Sequence, residues 1–280
     1  LGTLLVLALV GFVLYRLTIT GQFDPRVWEW IEYQTIQILL IQSLLATLKA
    51  FAVAAVLSLL FGAVFAAGRL SDHRWLNRPA TVIVEFFRAV PLLILIFILY
   101  YGVSRGVGID IPIFWALVLG LMLYNGSVLA EVFRAGVRAL PRGQAEAAYG
   151  LGMRKTQVTT YVLLPQAVRA MLPTILSQLV VVLKDTALGQ IITYDELLRA
   201  AQIFGNGHGN NLQTLTVAAL VFIVINWALT AVARWLSRYL SGRTSGTTAT
   251  GPGIGNPTVI TAGGPGAPAA PAVPGGGPAT

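Results

Sequence analysis

The sequence contains no cysteine and only two histidines, His73 and His208. Disulfides and thiolate–metal centres are thereby excluded, and two isolated imidazoles are too few for a histidine-rich metal site. Charge is scarce as well. Only 11% of residues are Asp, Glu, Lys or Arg, where a water-soluble domain carries about 25%. Water is a poor sole solvent for a chain that is 56% hydrophobic. No H-E-x-x-H pattern and no nucleophile with its base is visible, which argues against a membrane-embedded enzyme. No G-x-x-x-x-G-K-[ST] loop is present to cradle a nucleotide, so no cofactor is expected on this chain itself.

What is present is a series of long apolar blocks: 1–19, 36–67, 89–103, 111–130, 170–183 and 212–233. A bilayer core needs about 20 apolar residues of helix, and lipid forces each span to satisfy its own backbone groups. The expected fold is an all-α polytopic membrane protein of about six transmembrane helices, the fifth drawing on residues from Thr160 onward. Residues 1–20 read as a retained first helix, because no A-x-A cleavage site of a signal peptide follows them. The chain opens on Leu1 rather than Met, so residues upstream are expected. Pro91 and Pro173 are expected to bend their helices, since proline removes a backbone donor.

The net charge of +8 follows the spans rather than forming a nucleic-acid patch. Arg69, Arg74 and Arg78 lie between spans two and three, Arg134 to Arg169 supplies six cations between four and five, and Arg234, Arg238 and Arg243 follow span six. The alternate connections hold few cations. Loops on the cytoplasmic side are enriched in Lys and Arg, which predicts both termini in the cytoplasm and a lipid bilayer, not nucleic acid, as the partner. Residues 22–33, with Trp28 and Trp30, suit an external interface, and 205–211 (GNGHGNN) reads as a flexible external loop. From 241 to 280 the composition shifts to Gly, Pro, Ala and Thr, the signature of a disordered cytoplasmic tail.

The long polar segment near 138–165 is the most informative. Residues 144–149 are good helix formers, Gly150 and Gly152 can supply a left-handed stop, and a second helical stretch runs from near Lys155 toward Pro165. Ala145, Ala147 and Ala148 would let another protein approach the backbone closely. A mere connection would be shorter, so the segment reads as a docking element.

Glu146-Ala147-Ala148, Gly152, and Val162-x-Leu164-Pro165 resemble the EAA signature of ATP-binding-cassette (ABC) importer permeases, with Val162 where that family usually has Ile. Residues 85–91 (EFFRAVP), 130–134 (AEVFR), 165–167 (PQA) and 184–188 (KDTAL) look like polar amino-acid permeases, and the chain particularly resembles actinobacterial glutamate permease subunits with an extra first helix. The resemblance covers roughly 36–238 and implies a five-helix importer core. It further implies that Glu146, Ala147, Ala148, Gly152, Leu164 and Pro165 couple to a cytoplasmic ATPase dimer. ATP and Mg would be bound there. A second permease subunit, identical or homologous, and an extracytoplasmic substrate-binding protein would complete a bacterial inner-membrane complex. A secondary transporter driven by an ion gradient is the alternative, though neither an internal repeat nor a role for the docking loop supports it.

Ionisable groups within a span usually face the bundle interior or a water-filled cavity. Arg88, Asn125, Glu131, Lys184, Asp185 and Thr186 are therefore candidate substrate contacts. Each has a structural alternative. Glu131 and Arg134 are three apart on one helix face and suit a mutual pair, as do Glu85 and Arg88. Asn125, beside Gly126 and Ser127, suits a hydrogen bond across a helix interface. Lys184 and Asp185 are adjacent and cannot face each other on a helix, so one is free for the pathway while the other ties down a neighbouring helix. Lys49 either snorkels or marks a later start of span two.

Overall fold

The computed structural model describes residues 1–242, and all regular structure among them is helical. The elements are α1 (Gly2–Ile19), α2 (Gln34–Leu70), α3 (Arg74–Ala89), α4 (Leu92–Phe97), α5 (Ile113–Arg138), α6 (Arg142–Gly150), α7 (Lys155–Gln157), α8 (Leu164–Asp185), α9 (Leu197–His208) and α10 (Asn211–Gly242). Of the tail expected at 241–280, only Ser241 and Gly242, at the end of α10, fall within the described residues.

Five helical stretches are long and apolar enough to cross a membrane: α1, α2, α5, Lys155–Ile192 and Asn211–Tyr239. Counting α3 with α4 as one broken span gives six. Their axes bend by 101° at Val90–Pro91. Pro91 adopts φ −57°, ψ 135° and starts α4 as its N-cap. The ring supplies no donor to continue α3, and the residue before a proline is pushed out of helical space. The bend expected at Pro91 is thus a full break.

The bundle is organised around α2 and α5. Ala50, Ala54, Ser58, Gly62 and Ala66 recur every fourth residue on α2 and are all buried, so they form one small-residue stripe. Small residues let helices approach closely in lipid, where packing rather than water drives association. The stripe meets Leu117, Leu121, Gly126 and Leu129 of α5. Asn125, Gly126 and Ser127, which interrupt the apolar run of α5, are all buried. By contrast α1 buries none of its residues.

One sequence expectation is corrected. Residues 205–208 are not loop: α9 runs through His208, and only Gly209, at φ +72°, turns the chain toward α10. Phe204 and His208, one turn apart, stack with ring centroids 4.3 Å apart, so side-chain packing overrides the glycine-rich composition. The second helical stretch, expected to run from near Lys155 toward Pro165, continues past it. It passes from α7 through a π-helical segment, Val158–Leu163, into α8. The wider π turn precedes the residue that lacks an N–H, which lets the helix continue past it.

Candidate functional site

Two neighbouring constellations hold the candidate residues. The first is the hairpin between α5 and α8. Pro141 caps α6, and the turn after it depends on Gly152 at φ +78°, a conformation that costs a side chain roughly 1–2 kcal/mol. Within the hairpin Ala148 is buried, whereas Glu146, Ala147 and Gly152 are exposed, as are Leu164 and Pro165 beyond it. Leu151 is 84% exposed just after α6 and Tyr161 72% exposed in the segment that follows α7. These apolar knobs were not singled out from sequence, where a lone Leu in a loop gives no signal. Gln166 donates to the Gln144 carboxamide across the hairpin at 3.3 Å. Lys155 pairs with Asp72 in the α2–α3 turn, fastening the base of the hairpin to the bundle.

The second constellation lies inside the bundle. Near the midpoint of α5, Asn125 donates to an Asp185 carboxylate oxygen at 3.2 Å and accepts from Gln178 Nε2 at 2.7 Å. Both partners are on α8, seven residues apart and so on one face. Asn125 is fully buried, and each end of its amide is used to clamp α5 to α8. Thr186 is also buried and donates to the Leu183 carbonyl at 2.6 Å. Lys184 points the other way. It is exposed and lines a cavity of about 580 Å³ between α8 and α10. The adjacent charges thus diverge, as helix geometry requires.

Less than two turns along α5 from Asn125, Glu131 is a hub. Its carboxylate meets Arg69 Nη1 at 2.6 Å, Arg134 Nη2 at 2.7 Å and Arg88 at 3.6 Å. Arg69 is only 4% exposed, at the C-terminal turn of α2 where a cation complements the helix dipole. Glu85 reaches Arg69 at 3.7 Å. The Glu131–Arg134 pairing expected from spacing forms. Glu85 and Arg88 do not pair with each other, because each finds an opposite charge on a neighbouring helix. Arg69 and Gln178, central to these networks, carried no sequence signal, since their partners are far away in the chain. Lys49 places its ammonium 5.0 Å from the Phe114 ring centroid at the start of α5. Among the described residues no three His, Cys, Asp or Glu side chains gather as a metal site would need.

The arrangement is a membrane bundle with a solvent-exposed hairpin at one end and internal charge networks, and known proteins resemble the chain in sequence and fold. A family model described as "Binding-protein-dependent transport system inner membrane component" matches residues 58–246. The glutamate transport system permease protein GluD of Corynebacterium glutamicum is 43% identical over 223 residues, covering 79% of this chain and 82% of that protein. The arginine transport system permease protein ArtQ of Bacillus subtilis is 31% identical over 201 residues, covering 72% of this chain and 92% of that protein. Among solved structures, an amino acid ABC transporter crystallised with histidines superposes with a TM-score of 0.71 at 28% identity, covering 76% of this chain and 97% of that one. The inward-facing MetNI methionine ABC transporter, at 19% identity and a TM-score of 0.64, shares the fold, over 74% of this chain and 99% of that one. The chain therefore belongs to the family of inner-membrane components of binding-protein-dependent transport systems, and is a translocation subunit rather than an enzyme.

Proposed function

We propose that this chain is the permease of an ATP-driven importer of polar amino acids in a bacterial inner membrane, with glutamate as its cargo. The 43% identity to a glutamate permease over most of both chains carries the cargo assignment. Residues 36–238 form the five-helix importer core, the first helix lies outside it, and both termini face the cytoplasm, where the basic connections gather. The functional partners are a second permease, identical or homologous, an extracytoplasmic binding protein and a pair of cytoplasmic ATPases. ATP and Mg sit on those ATPases.

In this reading the α6 hairpin is the coupling element. Glu146, Ala147, Ala148, Gly152, Leu164 and Pro165 shape it, and the exposed Leu151 gives it an apolar tip for a cleft on the ATPase. ATPase closure pushes the hairpin, and the continuous helix from Lys155 to Ile192 conveys the push to Lys184 and Asp185 near mid-bundle. Of the pathway candidates, Lys184 presents its charge to open space, and Arg88 is exposed while its guanidinium stays 3.6 Å from Glu131. Asn125, Asp185, Thr186 and Glu131 set the positions of the helices that carry them.

The test is uptake of labelled glutamate into proteoliposomes containing the co-purified complex and its binding protein. Glu146→Arg and Gly152→Asp should each abolish ATP-dependent uptake and ATPase association while the chain still inserts. Uptake that persists without nucleotide and follows an ion gradient overturns the reading.

A further inference from the structure

The groove between α8 and α10 is lined by three cations, Lys184, Arg234 and Arg238, and by the hydroxyls of Ser177, Thr230 and Ser237. The rest of its lining is apolar, and no carboxylate contributes to it. Among the described residues none of the three cations takes part in an ion pair. Lys184 adjoins Asp185, which is bonded to Asn125 near the midpoint of α5, so this exposed ammonium lies level with the middle of a helix long and apolar enough to cross a membrane. A lysine at that depth is costly against lipid and is found facing water-filled cavities or partners. The groove side of α8 is therefore the wet side.

A groove with a surplus of fixed positive charge and no acid favours a small solute with net negative charge. At about 580 Å³ the cavity falls in the usual range for small-molecule sites. The Ser177 and Thr230 hydroxyls spend their protons on the Pro173 and Asn226 carbonyls of their own helices. Their oxygens are left as acceptors. That combination suits a molecule with two carboxylates and one ammonium: cations for the carboxylates, hydroxyl oxygens for the ammonium.

We infer that the α8–α10 groove is a site within the permease that selects acidic amino acids by charge, with Lys184 and Arg234 as the carboxylate partners and Arg238 as an electrostatic supplement. The inference rests on the proposed importer function and adds to it a determinant of specificity on this chain, separate from the binding protein. Neutral amino acids of the same shape offer only the α-carboxylate, leave one of the two cationic partners unused and are selected against here.

The test uses the whole complex in nanodiscs of zwitterionic phospholipid, without binding protein, titrated with labelled glutamate and separately with labelled glutamine. Lys184→Gln and Arg234→Gln should each weaken glutamate binding by about tenfold or more, as expected for loss of a hydrogen bond between charged groups. Glutamine binding should stay within about twofold in the variant that removes the partner of the side-chain carboxylate and fall only in the other, and Lys184→Arg should keep glutamate binding. Co-purification of the ATPase confirms assembly of each variant. Glutamate affinity unchanged in both Gln variants overturns the inference, and so does a change confined to the anionic phospholipid retained by the complex, which would make the groove a lipid site. Failure of the two readings is distinguishable. Glutamate imported by variants with unaltered affinity sinks the groove and leaves the importer assignment standing. Glutamate bound at the groove but never imported sinks the cargo assignment and leaves the groove.

Discussion

Arg69 and Glu131 lie 62 residues apart in sequence and meet at 2.6 Å, joining the end of α2 to α5. Arg69 is almost completely buried, and Glu131 also engages Arg134 and Arg88, so a single carboxylate faces three guanidinium groups. Removing the shared anion leaves like charges confined together, which is worse than losing one pair.

Glu131→Ala should accordingly destabilise the chain by about 3 kcal/mol, near the low end for breaking a buried pair because Glu131 retains some solvent contact. Thermal unfolding in detergent measures it, and Arg69→Ala should cost less because Glu131 keeps Arg134 at 2.7 Å. Equal losses from the two variants would contradict the hub.

Close approach of α2 and α5 gives a second expectation. A Cβ on Gly62 would lie 2.9 Å from Leu129 Cβ and 3.1 Å from the Gly126 carbonyl, and one on Gly126 would lie 2.8 Å from the Phe61 ring. None of these neighbours is the free end of a flexible chain. Gly62→Ala and Gly126→Ala should each destabilise by about 1–3 kcal/mol through overpacking. Gly207→Ala, in α9 with nothing within 4 Å of the added carbon, should instead be neutral or stabilising by up to about 1 kcal/mol. The same unfolding assay separates them.

The parts of this molecule legible in the sequence are those set by local rules. Apolar run length gave the spans, Pro91 the break between α3 and α4, and three-residue spacing the Glu131–Arg134 pair. Adjacency on a helix foretold the divergence of Lys184 and Asp185, though not which would turn inward. Distant partners were illegible: nothing near Arg69 marks it as buried, and nothing near Gln178 announces Asn125. Composition misled at 205–208, where glycines suggested a loop but Phe204 and His208 pack on a helix face. Glu196 escaped notice for a related reason, since its role as N-cap of α9 appears only when α9 exists.

That residue carries a pH dependence. Glu196 lies outside the membrane-spanning helices, is fully buried, and accepts from the Leu198 and Arg199 backbone N–H groups at 2.8 and 2.7 Å. Burial pushes its carboxyl up from 4.5 to about 7, against the pull of those N–H groups and of the Arg199 charge. An acid with a raised folded-state pKa holds its proton more tightly when folded, so its stabilising effect is complete below about 4.5 and is lost as pH rises through about 7. Stability should fall between pH 5 and 8 by an amount on the order of 3 kcal/mol, read as a lowered unfolding temperature in detergent. Glu196→Gln should flatten that slope. A slope that is unchanged in the variant assigns it to other groups.

The last expectation separates stability from coupling. Asp72 and Lys155 are both exposed, at 73% and 51% of their side-chain surface, yet they link the α2–α3 turn to the base of the α6 hairpin. An exposed pair contributes less than about 1 kcal/mol to folding, so Asp72→Lys should leave the unfolding temperature almost unchanged. Under the proposed coupling role, however, a hairpin released at its base yields when pushed instead of moving α8. ATP-dependent uptake should then drop by roughly fivefold, the consequence of about 1 kcal/mol lost from the coupled step, while ATP hydrolysis by the complex continues. The charge-swapped double variant, Asp72→Lys with Lys155→Asp, should recover uptake because the pair can form in reverse. If the single variant transports normally, or the swap fails to recover an assembled complex, the bridge is an incidental surface contact and the hairpin is braced by α8 alone.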